Sequence, residues 1–548
     1  MTVTYPEHMS EQNPDGPRSH TTDGPRDPEH DPSAHYALDR DYVAGLTRRL
    51  IATGPSARLV TSPVGGQPLG NLPQSTAADV SEAYARARTA QVAWAATPLE
   101  VRSAALLRLH DLLLDRQAEL IDLVVWETGK ARKDAFLEVA HLAMTARHYG
   151  RTAHQYLASR RVPGVFPVLT RTEVHRLPKG VVGIISPWNY PLTLAVCDGI
   201  PALLAGNGVV AKPDGQTTLT ALLAAELLEQ AGFPEGLWNV VSGPPAEVGG
   251  AVVAQADYVC FTGSTATGRL IAKQCAERLI GCSLELGGKN PMLVLRDTNV
   301  DAAADGAARG AFSNAGQLCI SIERLYVADQ VYDRFVDQFV ARTQALSLGA
   351  SQEWTLDVGS LISADHLDRV QAHVDDAIAK GARVLAGGKA RPDLGPYVFE
   401  PTILEGVTAD MDLFAAETFG PVVSIYRFHH EEEAIARANQ GTYGLNASVW
   451  TRDGNRGREV AKRLVAGTVN VNEPYGAAFG SLTAPMGGMR ESGLGRRQGA
   501  EGVLRYTETQ SVATQRVLPI APSFGMSEET YAKVMTTALR VLNKVGRV

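Results

Sequence analysis

Hydrophobic and polar positions change period several times along the chain, and each change marks a change of element. Met1 to about Arg40 has almost no aliphatic positions and is rich in Pro, Asp, Glu, His, Ser and Gly. Such a stretch cannot bury enough apolar surface to offset its ordering entropy, and residues 1–40 are expected to be a disordered extension. From Asp41 to about Arg160 apolar positions recur at three- and four-residue spacing, as in Val80–Arg88 and Ala104–Leu114, which predicts helices. Thr170–Leu177 alternates as a strand does. Gly180–Pro187, Gly208–Pro213, Leu237–Val241 and Tyr258–Thr262 then read as buried strands, with helices predicted over Pro191–Ala205, Thr217–Ala231 and Thr267–Leu279. The alternation resumes from Gly287 to about Thr483, with strands at Arg324–Val327, Ala382–Ala386 and Val422–Tyr426. Strands alternating with helices predict an α/β fold with a doubly wound parallel sheet, and a nucleotide would sit where strand ends meet helix starts. Finally, Ser527–Val545 opens on an N-cap Ser and early Glu and closes on Arg and Lys. It places Tyr531, Val534, Met535, Ala538, Val541, Leu542 and Val545 on one face. Its few basic residues suit an anionic membrane surface poorly, so docking on the protein body or on a neighbouring subunit is expected.

At 548 residues the chain is too long for one ordinary core, and two or three domains are expected. A net charge of −7 is mild, and Lys and Arg form no long block, so no nucleic-acid partner is expected. The five Cys (Cys197, Cys260, Cys275, Cys282, Cys319) are odd in number and scattered, which is usage for a reducing cytosol. With no apolar leader and no run of transmembrane length, the protein is read as cytoplasmic. His8, His20, His30 and His35 are irregularly spaced, and His429–Glu433 reads as the acidic opening of a helix, so no metal site is expected.

The chemistry concentrates in Phe312–Arg324, where small and amide residues lead to Cys319 ahead of the β-branched run Leu325–Val327. A thiol among flexible residues can be approached closely, and its thiolate is a strong nucleophile near neutral pH. Read alone, the stretch suits a small buried hydrophobe equally well. Upstream, Leu284–Pro291 places Glu285 between two Leu, immediately before a Gly pair. A carboxylate so flanked is expected to have a raised pKa, which suits base work, unless it forms a buried ion pair, for instance with Lys289. Gly263–Gly268 comes nearest to a dinucleotide fingerprint, but its spacing is wrong for GxGxxG.

These two stretches, with Ile185–Pro191 before them and Glu417–Pro421 after, resemble the aldehyde dehydrogenase superfamily, in order, from about Asp41 to about Gln515. Ser313–Arg324, Glu417–Tyr426, Tyr443–Trp450 and the long C-terminal tail are most similar to its actinobacterial succinate-semialdehyde dehydrogenase type. The resemblance implies a Rossmann-type cofactor-binding domain (41–158 and 180–286), an α/β catalytic domain (287–499) and a small oligomerisation hairpin (159–179 and 500–516). The C-terminal extension (517–548) follows, and a homodimer or homotetramer is implied. It also implies Cys319 as nucleophile, Glu285 as the base that activates water, and Asn189 as oxyanion donor beside the Cys319 N–H. The cofactor would be held by Ser186, Trp188, Asn189, Lys212, Pro213, Asp214, Gly215, Gly263, Ser264, Leu286, Glu417 and Phe419. NAD-preferring members carry Glu three residues after the Lys, where this chain has Gly215; without that carboxylate a 2′-phosphate is not repelled, so NADP is expected, with NAD as the alternative. The expected reaction is oxidation of a small aldehyde, succinate semialdehyde, to the acid, with a broad aliphatic or aromatic aldehyde dehydrogenase as the alternative. Many succinate-semialdehyde enzymes carry two Arg where this chain has Ser313 and Cys197, so the cation for a substrate carboxylate must come from elsewhere, Arg490 being one candidate. Ser321 stands two residues after the nucleophile, so the Cys–Cys redox switch of some relatives is absent.

Overall fold

The computed structural model describes residues 28, 35–165, 170–516 and 519–545. The extension read as disordered therefore lies, up to residue 34 and apart from Pro28, outside the described residues. A helix over Arg40–Thr47 begins at its boundary, capped by Asp39. Long helices follow, among them Ala77–Ala96, whose Thr76 and Asp79 form a reciprocal capping box.

Two sheets carry the rest, the first parallel except for its edge strand Gly493–Leu494, which runs antiparallel to Gly281–Glu285. The first orders its strands Gly493–Leu494, Gly281–Glu285, Tyr258–Thr262, Val181–Ile185, Gly208–Lys212 and Trp238–Val240. Alternation sends Val182, Ile184 and Val209 into one apolar core and Val181, Val210 and Val259 into another on the opposite face. Both faces are covered, which is why these strands read as continuous hydrophobic runs. From Val181–Ile185 the chain first builds outward through Gly208–Lys212 and Trp238–Val240, then returns to Tyr258–Thr262 on the other side. That reversal opens a crevice at the carboxyl ends of two adjacent strands.

The second sheet is seven-stranded, ordered Arg383–Ala386, Thr402–Glu405, Val422–Phe428, Ile322–Ala328, Asn290–Val294, Asn446–Trp450 and Thr468–Val471. It is parallel except at the edge pair Arg383–Ala386 and Thr402–Glu405. Met292, Leu325 and Val327 enter one core, while Leu293, Tyr326 and Ala328 enter the other. A separate antiparallel sheet joins Arg160–Pro163, Thr170–Pro178 and Thr507–Gln515, with Thr170–Pro178 in the middle.

Two expectations are corrected. The helix read over Pro191–Ala205 is two short ones, Pro191–Val196 and Gly199–Leu204. Pro201 has no N–H to give to the carbonyl of Cys197, so the ladder lapses there. The terminal helix forms, over Glu528–Val545, but does not dock on the described residues of its own chain: Val534 and Val541 are 50% and 54% exposed. Periodicity shows that a helix has an apolar face; it does not say what covers it. Among the described residues no helix is long and apolar enough to cross a membrane.

Candidate active site

Cys319 ends a loop whose backbone is left-handed at three successive residues, Asn314 (φ 51°), Ala315 (φ 52°) and Gly316 (φ 70°). Such a run persists only where neighbours over-determine it. Asn314 N donates to Asp134 Oδ2 at 3.0 Å, and its amide donates to the carbonyls of Asn189 (3.1 Å) and Gln317 (3.0 Å). The Gln317 amide donates to Asn314 O and Ser360 O and accepts from Ile362 N. At Gly316 a Cβ would lie 2.0 Å from Gly420 O, so glycine is required where this loop rests on the Glu417–Pro421 turn. Cys319 itself is half-buried, its carbonyl accepting from Asn290 Nδ2 at 2.8 Å.

Asn189 Nδ2 spends one hydrogen on Gln317 O at 3.0 Å, which leaves its second for a group beside Cys319. The loop that carries it rests on a buried ion pair that sequence reasoning missed. Lys130 Nζ lies 2.5 Å from Glu138 Oε1, both side chains being wholly buried. Lys130 also donates to Asn189 O (2.7 Å) and sits 3.9 Å from the centroid of the Tyr190 ring. The other Glu138 oxygen accepts from Leu192 N and Thr193 N, closing the start of the helix Pro191–Val196. The local signal was slight: a helix stopped by left-handed Gly129, then a lysine. Lys130→Met is expected to lower the unfolding free energy by about 3–5 kcal/mol, because Glu138 would keep an uncompensated buried charge. Denaturant titration measures this; a loss below about 1 kcal/mol would show that the pair does not hold the loop.

Glu285 ends the strand Gly281–Glu285, and its carboxylate reaches the same cavity as Cys319 and Asn189. Burial raises its pKa to about 7, against the pull of Arg497. Arg497 Nε stands 3.9 Å from Glu285 Oε1, and neither atom has a hydrogen-bond partner among the described residues. Arg497 is held from behind by Asp198 (3.0 Å), which also pairs with Arg505 (2.6 Å). The ion pair considered between Glu285 and Lys289 does not form, since Lys289 Nζ lies 2.5 Å from Glu323. Burial, then the charges of Glu285 and Glu417, push the Cys319 thiol up to about 12, so the resting sulfur is protonated at neutral pH.

The cavity over Cys319 is walled by Leu137, Met144, Leu194, Ile320, Phe479 and Met486, with His141 and Arg497 among its polar members. His141 is stacked on Phe479 at 4.1 Å, and burial lowers its pKa to about 3, so the ring is neutral. Ser313 Oγ accepts from Tyr475 OH, and Cys197 is a buried thiol beside Thr145. Arg490 is corrected as a carboxylate partner: its guanidinium is exposed and donates to the carbonyls of Asn439 and Gly441, away from the cavity.

On the other side of Cys319 a groove of about 580 Å³ opens at the strand reversal, lined by Ser186, Trp188, Lys212, Asp214, Gly263 and Ser264 among others. It continues into a cleft bounded by Leu286, Cys319, Glu417 and Phe419. Pro213 and Gly215 stand in the adjoining turn without lining the groove. The groove fits a dinucleotide on its own donors. Lys212 Nζ is buried with a single hydrogen bond among the described residues, to Pro213 O at 3.4 Å, so the ammonium can take a further acceptor. Glu417 accepts from Gly288 N at 2.8 Å, and its other oxygen lies 2.5 Å from where a Cβ on Gly287 would stand. Burial and then Glu323 raise its pKa to about 8. Phe419 takes a left-handed backbone (φ 56°), held by its N–H on Glu323 and by His366 donating to its carbonyl. Among the described residues no group of three or more His, Cys, Asp or Glu could hold a metal ion.

The sequence profile of the aldehyde dehydrogenase family matches residues 52–512. A Mycolicibacterium smegmatis protein named for NADP(+)-linked succinate-semialdehyde dehydrogenase activity is 52% identical over 480 residues, 88% of this chain and 93% of that one. A glutarate-semialdehyde dehydrogenase of Pseudomonas aeruginosa is 38% identical over 451 residues, 82% of this chain and 92% of its own. Among solved structures, an E. coli NADP dependent enzyme superposes with a TM-score of 0.81 at 35% identity, covering 85% of this chain and 96% of that one.

Proposed function

The chain belongs to the aldehyde dehydrogenase family, and from that premise we propose that it oxidises succinate semialdehyde to succinate with NADP. The observation that carries the chemistry is the meeting of Cys319, Asn189 and Glu285 on one cavity. Cys319 attacks the aldehyde carbon, and the oxyanion of the thiohemiacetal takes hydrogen bonds from Asn189 Nδ2 and the Cys319 N–H. The dinucleotide, held by Lys212, Glu417 and Phe419 in the groove that Ser186, Trp188, Gly263, Ser264 and Leu286 shape, supplies the hydride acceptor. Glu285 takes a proton from the water that hydrolyses the thioester on Cys319. The Mycolicibacterium smegmatis relative, named for succinate semialdehyde and NADP(+), supports the substrate and cofactor, and the Pseudomonas aeruginosa relative supports a semialdehyde. The absence of a carboxylate at Gly215 favours NADP on independent grounds.

A second reading rests on the cavity walls. Leu137, Met144, Phe479 and Met486 suit a neutral aliphatic or aromatic aldehyde, while the acid end of a semialdehyde has Arg497 as its guanidinium. Initial rates with succinate semialdehyde, hexanal and benzaldehyde, each with NADP and NAD, decide between them. A kcat/KM at least about tenfold higher for the semialdehyde is expected, since a site built for an ionic group rejects analogues lacking it. Comparable turnover of the neutral aldehydes would replace the substrate and leave the mechanism standing. The antiparallel sheet ending in Thr507–Gln515 has exposed edge strands, and we assign it to pairing of identical subunits in a dimer or tetramer. We assign a cofactor-binding domain (41–158 and 180–286) and a catalytic domain (287–499), a division the two sheets support except at Gly493–Leu494, which joins the first sheet beside Gly281–Glu285. Five scattered cysteines, the usage of a reducing compartment, support a cytoplasmic location.

A further inference from the structure

Beside the groove for the nucleotide stands a cation that the sequence reading left aside. Arg58 is an exposed residue near the start of the strand Ala57–Thr61. Its guanidinium crosses directly over Gly215: a Cβ added there would meet Arg58 Nη1 at 2.6 Å and Cζ at 3.5 Å. The two segments are tied together, since Gln216 Nε2 donates to Thr61 O at 2.8 Å. Arg58 makes no hydrogen bond or ion pair among the described residues; at Lys212 burial weighs most, then the charge of Asp214, then that of Arg58. Lys212 has only its 3.4 Å contact with Pro213 O. One oxygen of the nearby Asp214 carboxylate caps Gln216 N at 2.9 Å. Two cations thus stand beside one small surface, with Asp214 as the neighbouring carboxylate, and the residue beneath Arg58 has no side chain. Two cations that act on one surface favour a dianion bound there.

We propose that Arg58 is a specificity-determining residue that, together with Lys212 and across the space left by Gly215, binds the 2′-phosphate of the adenosine ribose. The assignment rests on the reading of NADP as cofactor. A guanidinium is suited to the role because its planar fork can meet two phosphate oxygens at once, where an ammonium is a point charge.

The test is calorimetric titration of the full-length protein with 2′,5′-ADP and with 5′-AMP, for the natural sequence and for Arg58→Gln. This reads the adenosine half of the site without turnover. The natural protein is expected to bind 2′,5′-ADP more tightly than 5′-AMP. Arg58→Gln should weaken 2′,5′-ADP by about tenfold to a hundredfold and leave 5′-AMP unchanged, the range for a hydrogen bond to a charged group. Gly215→Glu, which sets a carboxylate against Arg58, should abolish the preference altogether. If Arg58→Gln keeps the preference, or weakens both ligands alike, the role of Arg58 is overturned while NADP stands. If the natural protein shows no preference, the NADP reading falls and the proposal falls with it. Because Arg58 is exposed and unpartnered, the variant should fold, and a matching thermal transition checks this.

Discussion

Replacing Cys319 with alanine is expected to lower kcat/KM for every aldehyde by at least about ten-thousand-fold, because no covalent intermediate can then form. Other losses can be separated from this one. Cys319 is half-buried in a small apolar cluster with Ile320, Leu445 and Met486, so removing its sulfur leaves a small gap and a foldable chain. Binding of 2′,5′-ADP should not change. Activity within tenfold of the natural enzyme would show that the thiol is not the nucleophile. The same sulfur has a second, pH-resolved signature. Burial and two neighbouring carboxylates push its pKa up to about 12. Alkylation by iodoacetamide follows the thiolate, so its rate in the free enzyme should rise about tenfold per pH step through pH 9 with no plateau. A plateau near neutrality would mean that the resting sulfur is already ionised. Blocking by prior alkylation should be prevented in Cys319→Ala, which ties the rate to this residue rather than to Cys282, the other half-buried thiol.

The contrast between what was legible in sequence and what was not has a physical basis. Buried parallel strands announce themselves as apolar runs because both faces are covered, and Val181, Val182, Val209 and Val210 were read correctly on that ground. Cys319, Glu285 and Asn189 stand out because each sits in a short segment of unusual composition, and the structure sets all three on one cavity. The residues that hold them in place carry no such mark. Lys130 meets Asn189 across 59 positions, and Arg497 meets Asp198 across 299. An ion pair made by folding leaves no periodicity in the chain. Sequence spacing also misassigned charge partners: Lys289, four residues from Glu285, pairs with Glu323, and Arg490 is exposed while Arg497 enters the site. The broken helix was recoverable from Pro201; the bare face of the terminal helix was not, because an apolar stripe in a sequence does not say which surface covers it.

The second large effect is expected at Glu285. Glu285→Gln should lower kcat by about a hundredfold to ten-thousand-fold, the range for losing a positioned general base, while leaving the acylation of Cys319 intact. The variant should therefore accumulate thioester, visible as an intact-protein mass raised by one acyl group, whereas the natural enzyme should not. Loss of the acyl-enzyme signal along with turnover would place Glu285 in the first step and sink its role as hydrolytic base. The pH dependence follows from the same carboxylate. Its pKa in the fold is raised to about 7 by burial. A base works ionised, so kcat should climb as pH rises through about 7 and level off above it, and the inflection should vanish in Glu285→Gln. Stability runs the opposite way. Between the ordinary carboxylate value and about 7 the folded state holds a proton that the unfolded chain releases, so this group's contribution falls as pH rises across that window and stays low above it. Glu285→Gln should accordingly raise the melting temperature relative to the natural protein at pH 8 and have little effect near pH 4, below both values. Asp198 still pairs with Arg497 in the variant, so no unpaired cation obscures the comparison. A buried carboxylate that the fold would sooner keep neutral is thus retained where ionised chemistry is needed, and the two pH profiles should cross at one residue.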